Sequence, residues 1–141
     1  MNSFANLTGT RWMLVDDNKD ILLMLSAVLE NLTSAKIECY NSPQSALRAF
    51  IQSPDSYELV ITDYEMPGMD GVELCRRLHS ISPAQKIFLA TGSGFFTDTA
   101  ARRAGFSALL NKPFPLSDLK VALVENFLGT KEKNYHDLIA A

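Results

Sequence analysis

The chain reads as an α/β domain built on a doubly wound, five-stranded parallel sheet in the order 2-1-3-4-5. Three observations carry that reading. Short apolar runs alternate five times with helix-like patterns across short connections. The runs at Leu59–Thr62 and Ile87–Ala90 are apolar on both faces, as strands covered by helices on two sides must be. Residues 35–40 instead alternate, Ala35, Ile37 and Cys39 against Lys36, Glu38 and Tyr40, which marks an edge strand. Right-handed crossovers limit the possible topologies, and an edge position for the second strand fits the flavodoxin-like three-layer sandwich.

Each element has a local cause. Residues 1–10 are polar and read as a lead-in; Arg11–Val15 is the first strand. Asn18 caps a helix from Lys19 to about Leu32, with Ile21, Leu25, Val28 and Leu32 stepping by four, three and four. Ser42-Pro43 is an N-cap followed by proline at the first helical position, and Ser53-Pro54 ends that helix. After the third strand, a helix from about Asp70 to His79 places Leu74 and Leu78 on one face. Gly92-Ser93-Gly94 makes a loop after the fourth strand. A short helix follows from about Thr97 to Ala104, closed by Gly105. Ser107–Leu110 is the fifth strand, and a last helix runs from Leu116 or Ser117 to Leu128, stopped by Gly129. The expected domain is 11–129, with a charged tail at 130–141.

Bulk properties bound the function. At 141 residues the chain holds one domain, and 47% hydrophobic with 21% charged residues excludes disorder and membrane classes. Sixteen acids against thirteen Lys and Arg give a net charge of -3, unlike a nucleic-acid surface. No basic patch or winged region follows Gly129, so direct nucleic-acid binding is not expected; any output domain is a separate protein or lies outside this chain. The N-terminus lacks a signal-peptide pattern, and no run approaches the ~20 apolar residues of a membrane span. A cytoplasmic location with no membrane partner is expected. Cys39 and Cys75 lack metal or redox spacing and are expected to be reduced core thiols.

The chemistry gathers at the carboxyl ends of strands. Asp16-Asp17 follows the first strand, Asp63 ends the third, Thr91 closes the fourth, and Lys112-Pro113 follows the fifth. In the 2-1-3-4-5 order the ends of strands one and three flank the crevice where ligands bind. Taken singly, an acid pair caps a helix, an acid before Pro-Gly makes a turn, and Lys-Pro means little. Their joint placement is what points to a site. Three converging carboxylates raise at least one pKa or require a cation. Their oxygens are hard ligands with no His or Cys nearby in sequence, so Mg²⁺ is the natural occupant, leaving a position for a phosphate oxygen. Lys112 supplies a point charge for a phosphoryl oxygen. The Thr91 hydroxyl and the Gly92 amide are expected to face the same space. Asp63, between the acid pair and Thr91, is placed to attack phosphorus as a carboxylate nucleophile.

The elements LVDDN, ITDYEMPGMDG, FLATG and LLNKPF, in that order and spacing, resemble the receiver domain of bacterial two-component response regulators over about Trp12 to Leu128. The resemblance implies that Asp63 is the phosphoacceptor, served by a phosphohistidine on a sensor histidine kinase or histidine phosphotransfer protein. It implies Asp17 as direct Mg²⁺ ligand, Asp16 as holder of a metal-bound water, and the Glu65 backbone carbonyl as a further ligand, with Mn²⁺ as a substitute ion. Thr91 would bind a phosphoryl oxygen, Lys112 would pair with it, and the bond to Pro113 would be cis. Leu109 stands where many members carry a Tyr or Phe that swings inward on activation. A leucine performs no ring swap, so the signal leaves through another element or the output face rearranges less. The acidic side chain of Glu65 is expected to overhang the site and influence hydrolysis. Phe95 and Phe96 either pack beneath their loop or form a partner patch; the family commonly docks or dimerises on the face of the fourth helix, fifth strand and last helix. The GTRWMLVDD and FLATGSG runs resemble receivers attached to hybrid sensor kinases.

The implied function is a phosphorylation switch or relay module without a turnover substrate. Three alternatives compete. A degenerate receiver would act by binding alone, but it should have lost some of the acids, Thr91 or Lys112. An aspartate-nucleophile phosphatase commonly has a second Asp where Glu65 stands, and a cap domain. A flavin carrier would set an FMN phosphate against the acid triad.

Overall fold

A computed structural model describes residues 11–92, 94 and 96–128. The strands are β1 (Arg11–Val15), β2 (Lys36–Tyr40), β3 (Tyr57–Asp63), β4 (Ile87–Thr91) and β5 (Ala108–Asn111). All pair in parallel, in the order β2-β1-β3-β4-β5. The helices are α1 (Lys19–Leu32), α2 (Pro43–Gln52), α3 (Gly71–Ile81), α4 (Asp98–Arg103) and α5 (Leu116–Leu123). The lead-in, the Gly129 stop, the tail, Ser93 and Phe95 lie outside the described residues.

Alternation along β1 divides the core in two. Trp12 and Leu14 face a layer with Leu22 and Leu29 of α1, Leu59, Ile61, Phe88, and Leu119 and Leu123 of α5. Met13 and Val15 face Ala46 and Phe50 of α2, Val60, Leu74 and Leu78 of α3, Ile87, Leu89, and Ala101 of α4. Period-two side chains on a sheet covered twice produce this split. Each fully buried Leu or Phe stabilises by about 1.5–3 kcal/mol.

Four helix starts are capped by side chains. Asn18 accepts from the amides of Asp20 and Ile21, Ser42 from Ser45, Asp70 from Glu73, and Thr97 from Ala100. Gly105, at φ +106°, lets the chain leave α4 through the left-handed region.

The structure corrects the sequence reading at three places. Strand β3 starts at Tyr57, two residues before the apolar run, because the Tyr57 hydroxyl donates to Glu38 of β2 at 2.8 Å. Arg11 adds a cation over the Tyr57 ring and an ion pair to Glu38, so a polar network continues the sheet. Cys39 is exposed, not a core thiol: β2 has a neighbour on one side only, and α1 buries Ala35 but leaves Cys39 open. The last helix keeps α-geometry only to Leu123, then widens into a π-turn at Val124–Leu128.

An acidic pocket at the switch point

Asp16 leaves β1, where its amide donates to the Tyr40 carbonyl of β2 at 3.1 Å. One oxygen of its buried carboxylate accepts from the Asn18 amide at 2.9 Å, and the other receives the Lys112 ammonium at 2.6 Å. Thus Asp16 does make a local turn contact, and it also reaches across the sheet. Asp63 ends β3 in register with Ala90 of β4. Its carboxylate lies 3.2 Å from the same ammonium. Oxygens of Asp16, Asp17 and Asp63 all come within 4.8 Å of one another.

The electrostatics follow from this crowding. Burial pushes the Asp63 carboxyl above its ordinary range; Lys112 pulls it down and Asp16 pushes it up again, and the balance stays raised. Burial alone would lower the Lys112 ammonium, but the hydrogen bond and charge of Asp16, with Asp63, leave it above its ordinary value.

The remaining predicted residues take distinct places. Thr91 ends β4, fully buried, and its carbonyl accepts from the Lys112 amide at 2.8 Å. Gly92 is exposed, with the Lys112 Cβ 3.8 Å from where its own Cβ would lie. Lys112-Pro113 is a cis bond. Leu109, half-buried, pairs with Leu89 and packs with the α2–α3 layer. The exposed Glu65 lines an open hollow of about 490 Å³ with Asp17, Tyr64 and Asp70. A second, apolar cleft of about 500 Å³ runs between α1 and the start of α5 and ends at Asp16, Asp63 and Lys112. Met24 and Leu116 stand exposed on its walls.

Two positions that matter were not singled out from sequence. Gly71 begins α3 so close to the acceptor strand that a Cβ there would lie 2.3 Å from the Asp63 carbonyl oxygen. Its amide donates to the Tyr64 carbonyl at 2.8 Å. An Asp-Gly pair at a helix start was the available signal. Tyr64 packs edge-on against Phe96, with ring centroids 4.9 Å apart; no local pattern announces a partner so far along the chain.

The carboxylate set fits a hard divalent cation: every side-chain donor is oxygen, and the oxygens converge to ligand spacing. Fold and pocket together define the class, a doubly wound α/β domain with an acidic pocket and one lysine at its switch point. The model of the response regulator receiver domain family matches residues 13–124, and the chain belongs to that family. It is therefore a receiver domain of two-component signalling. It is 34% identical over 112 residues to the response regulator receiver protein CpdR of Brucella abortus, covering 77% of this chain and 89% of that one. Against the uncharacterized transcriptional regulatory protein YrkP of Bacillus subtilis, identity is 32% over 114 residues, and the match covers 81% of this chain but 48% of the relative. A probable histidine kinase of Oryza sativa is also related, the match covering 89% of this chain and only 15% of the kinase at 27% identity. Among solved structures, a receiver domain protein from Clostridium thermocellum superposes with TM-score 0.73 at 25% identity, over 93% of this chain and 94% of that one. Among the described residues, no helix is long and apolar enough to cross a membrane.

Proposed function

We propose that the chain is a phosphorylation switch or relay module in which Asp63 takes a phosphoryl group from a phosphohistidine. The donor is a sensor histidine kinase or a histidine phosphotransfer protein, in keeping with the regulators and kinases to which the chain is related. The observation that carries this reading is the shared ammonium: Lys112 lies 2.6 Å from Asp16 and 3.2 Å from Asp63, beside a third carboxylate.

An Asp63 oxygen attacks phosphorus. The new P–O bond forms as the P–N bond to the donor imidazole breaks, and the bonding pair remains on the ring nitrogen. Mg²⁺, or Mn²⁺ in its place, supplies charge neutralisation when held by Asp16, Asp17, Asp63 and the Glu65 backbone carbonyl. Lys112 passes from the free carboxylate to a phosphoryl oxygen, while the Thr91 hydroxyl and the Gly92 amide hold another. Burial of Asp16 and Thr91 keeps bulk water from one side of the acceptor. The donor must cover the other side, where exposed Met24 and Leu116 flank the cleft.

Hydrolysis of the aspartyl phosphate resets the switch, with no turnover substrate. The receiver proper is 11–129, with 1–10 and 130–141 as lead-in and tail. It acts in the cytoplasm, without direct contact to nucleic acid or membrane. Output or homodimer contacts use the face of α4, β5 and α5.

Intact-mass measurement after incubation with acetyl phosphate tests this reading. One phosphoryl addition is expected with Mg²⁺, none with chelator, and none for Asp63→Asn. No addition under conditions that label another receiver would assign the chain to phosphorylation-independent binding.

A further inference from the structure

Leu109 leaves the fold without an aromatic side chain at the β5 position from which many receivers transmit the phosphorylated state. The Tyr64–Phe96 pair occupies the route between the acceptor and α4. Tyr64 follows Asp63 directly, and its backbone is fixed by the Gly71 amide at 2.8 Å. Its ring meets the Phe96 ring edge-on, at 4.9 Å between centroids and 76° between planes. Both rings are half-buried and pack against the same α2–α3 layer as Leu109.

The two partners are held differently. Tyr64 is anchored to the helix that abuts the acceptor strand. Phe96 lies beyond Gly94, whose φ of +71° is a left-handed conformation and where an added Cβ would meet nothing within 4 Å. The next residue, Thr97, caps α4 through the Ala100 amide at 3.0 Å. Only Ala101 of α4's six residues is buried. Anything that moves Phe96 therefore moves the cap, while the far end of α4 stays tied through the Phe106 amide to the Ala101 carbonyl at 3.0 Å.

We infer that the Tyr64–Phe96 contact couples Asp63 to α4, in place of an aromatic residue at position 109. The inference rests on the phosphorylation reading. A phosphoryl group on Asp63 draws Thr91 and Gly92 toward its oxygens. The loop shortens toward the site, Phe96 slides off the Tyr64 ring, and α4 follows its cap. An edge-to-face ring pair has a preferred geometry, so the change is a switch between two packings.

The test follows backbone amide resonances of the full chain on adding beryllofluoride and Mg²⁺, in wild type, Tyr64→Leu, Phe96→Leu, Phe96→Tyr and Leu109→Ala. Wild type is expected to respond at the pocket (Thr62, Gly92, Asn111) and in α4 (Ala100, Ala101, Arg102). In Tyr64→Leu and Phe96→Leu the pocket response persists while the α4 response falls roughly threefold or more. Phe96→Tyr, which keeps a ring, restores it, and Leu109→Ala leaves it intact. A full α4 response in Phe96→Leu overturns the coupling role while leaving the phosphorylation reading standing. No pocket response in wild type overturns the phosphorylation reading, and this inference with it.

Discussion

The ammonium of Lys112 lies 2.6 Å from a carboxylate oxygen of Asp16, a partner 96 residues earlier in the chain. That contact fastens the end of β5 to the end of β1 across two intervening strands, and the same ammonium reaches Asp63 on the middle strand. Removing it leaves three crowded acids. Lys112→Met is expected to lose about 2–3 kcal/mol in urea denaturation, somewhat below the usual figure for breaking a fully buried pair, since a fifth of the lysine is exposed. Mg²⁺ should then raise the Tm of the variant more than that of wild type, because no ammonium competes for the carboxylates. An equal or smaller rise would contradict the competition.

Gly71 permits the approach of α3 to the acceptor strand. Gly71→Ala puts a methyl 2.3 Å from the Asp63 carbonyl oxygen, so strand or helix must shift. A loss of about 1–3 kcal/mol is expected, the usual cost of overpacking. Slower labelling by acetyl phosphate should accompany it. Unchanged stability and labelling would mean that the backbone absorbs the methyl freely.

Much of this was legible from sequence, and the exceptions share a cause. The strand order followed from two runs apolar on both faces and one that alternated, because burial on one or two sides writes itself into the period. The three acids and Lys112, which the structure brings together, are legible because each ends or follows a strand, and Thr91 ends β4 where the sequence places it. The local sequence does not mark Tyr57 as part of β3, because its hydrogen-bond partners, Glu38 and Arg11, belong to other strands. The exposure of Cys39 is invisible in sequence because alternation records a strand's faces but not how far a helix covers them. The Tyr64–Phe96 contact is long-range in the same way.

The network around Glu38 gives a pH dependence. Burial raises the Glu38 carboxyl, but hydrogen bonds from Arg11, Tyr57 and Tyr40 outweigh it and leave it below its ordinary value. A depressed carboxyl contributes stability that is present above the unfolded value, about 4.3, and lost as pH falls through the folded one. Glu38→Gln should be less stable than wild type by about 1–2 kcal/mol at neutral pH. The gap should close as pH falls below the ordinary glutamate range in denaturation series. A gap that stays constant or widens in acid would contradict the assignment.

The two thiols should separate by reactivity. Cys75 is buried, its Sγ 3.7 Å from the Ala104 carbonyl, and burial pushes its pKa up to about 11. Cys39 is exposed. A thiol reagent at mildly alkaline pH should modify Cys39 promptly and Cys75 only on unfolding. Equal rates would show the α3 layer to be open.

Glu65 is exposed beside Asp17 in the hollow next to the pocket. If its charge acts on the attacking water, Glu65→Ala should change the autodephosphorylation rate without changing the site of labelling. Identical rates would remove Glu65 from the chemistry.

The most direct measurement is chemical trapping of the acceptor. Protein incubated with acetyl phosphate and Mg²⁺ is treated with borohydride, which reduces an aspartyl phosphate to homoserine, and the peptides are sequenced by mass spectrometry. The account predicts homoserine at position 63 and none at 16 or 17. Homoserine at either of those positions, or none anywhere in a protein that has gained a phosphoryl group, would contradict it.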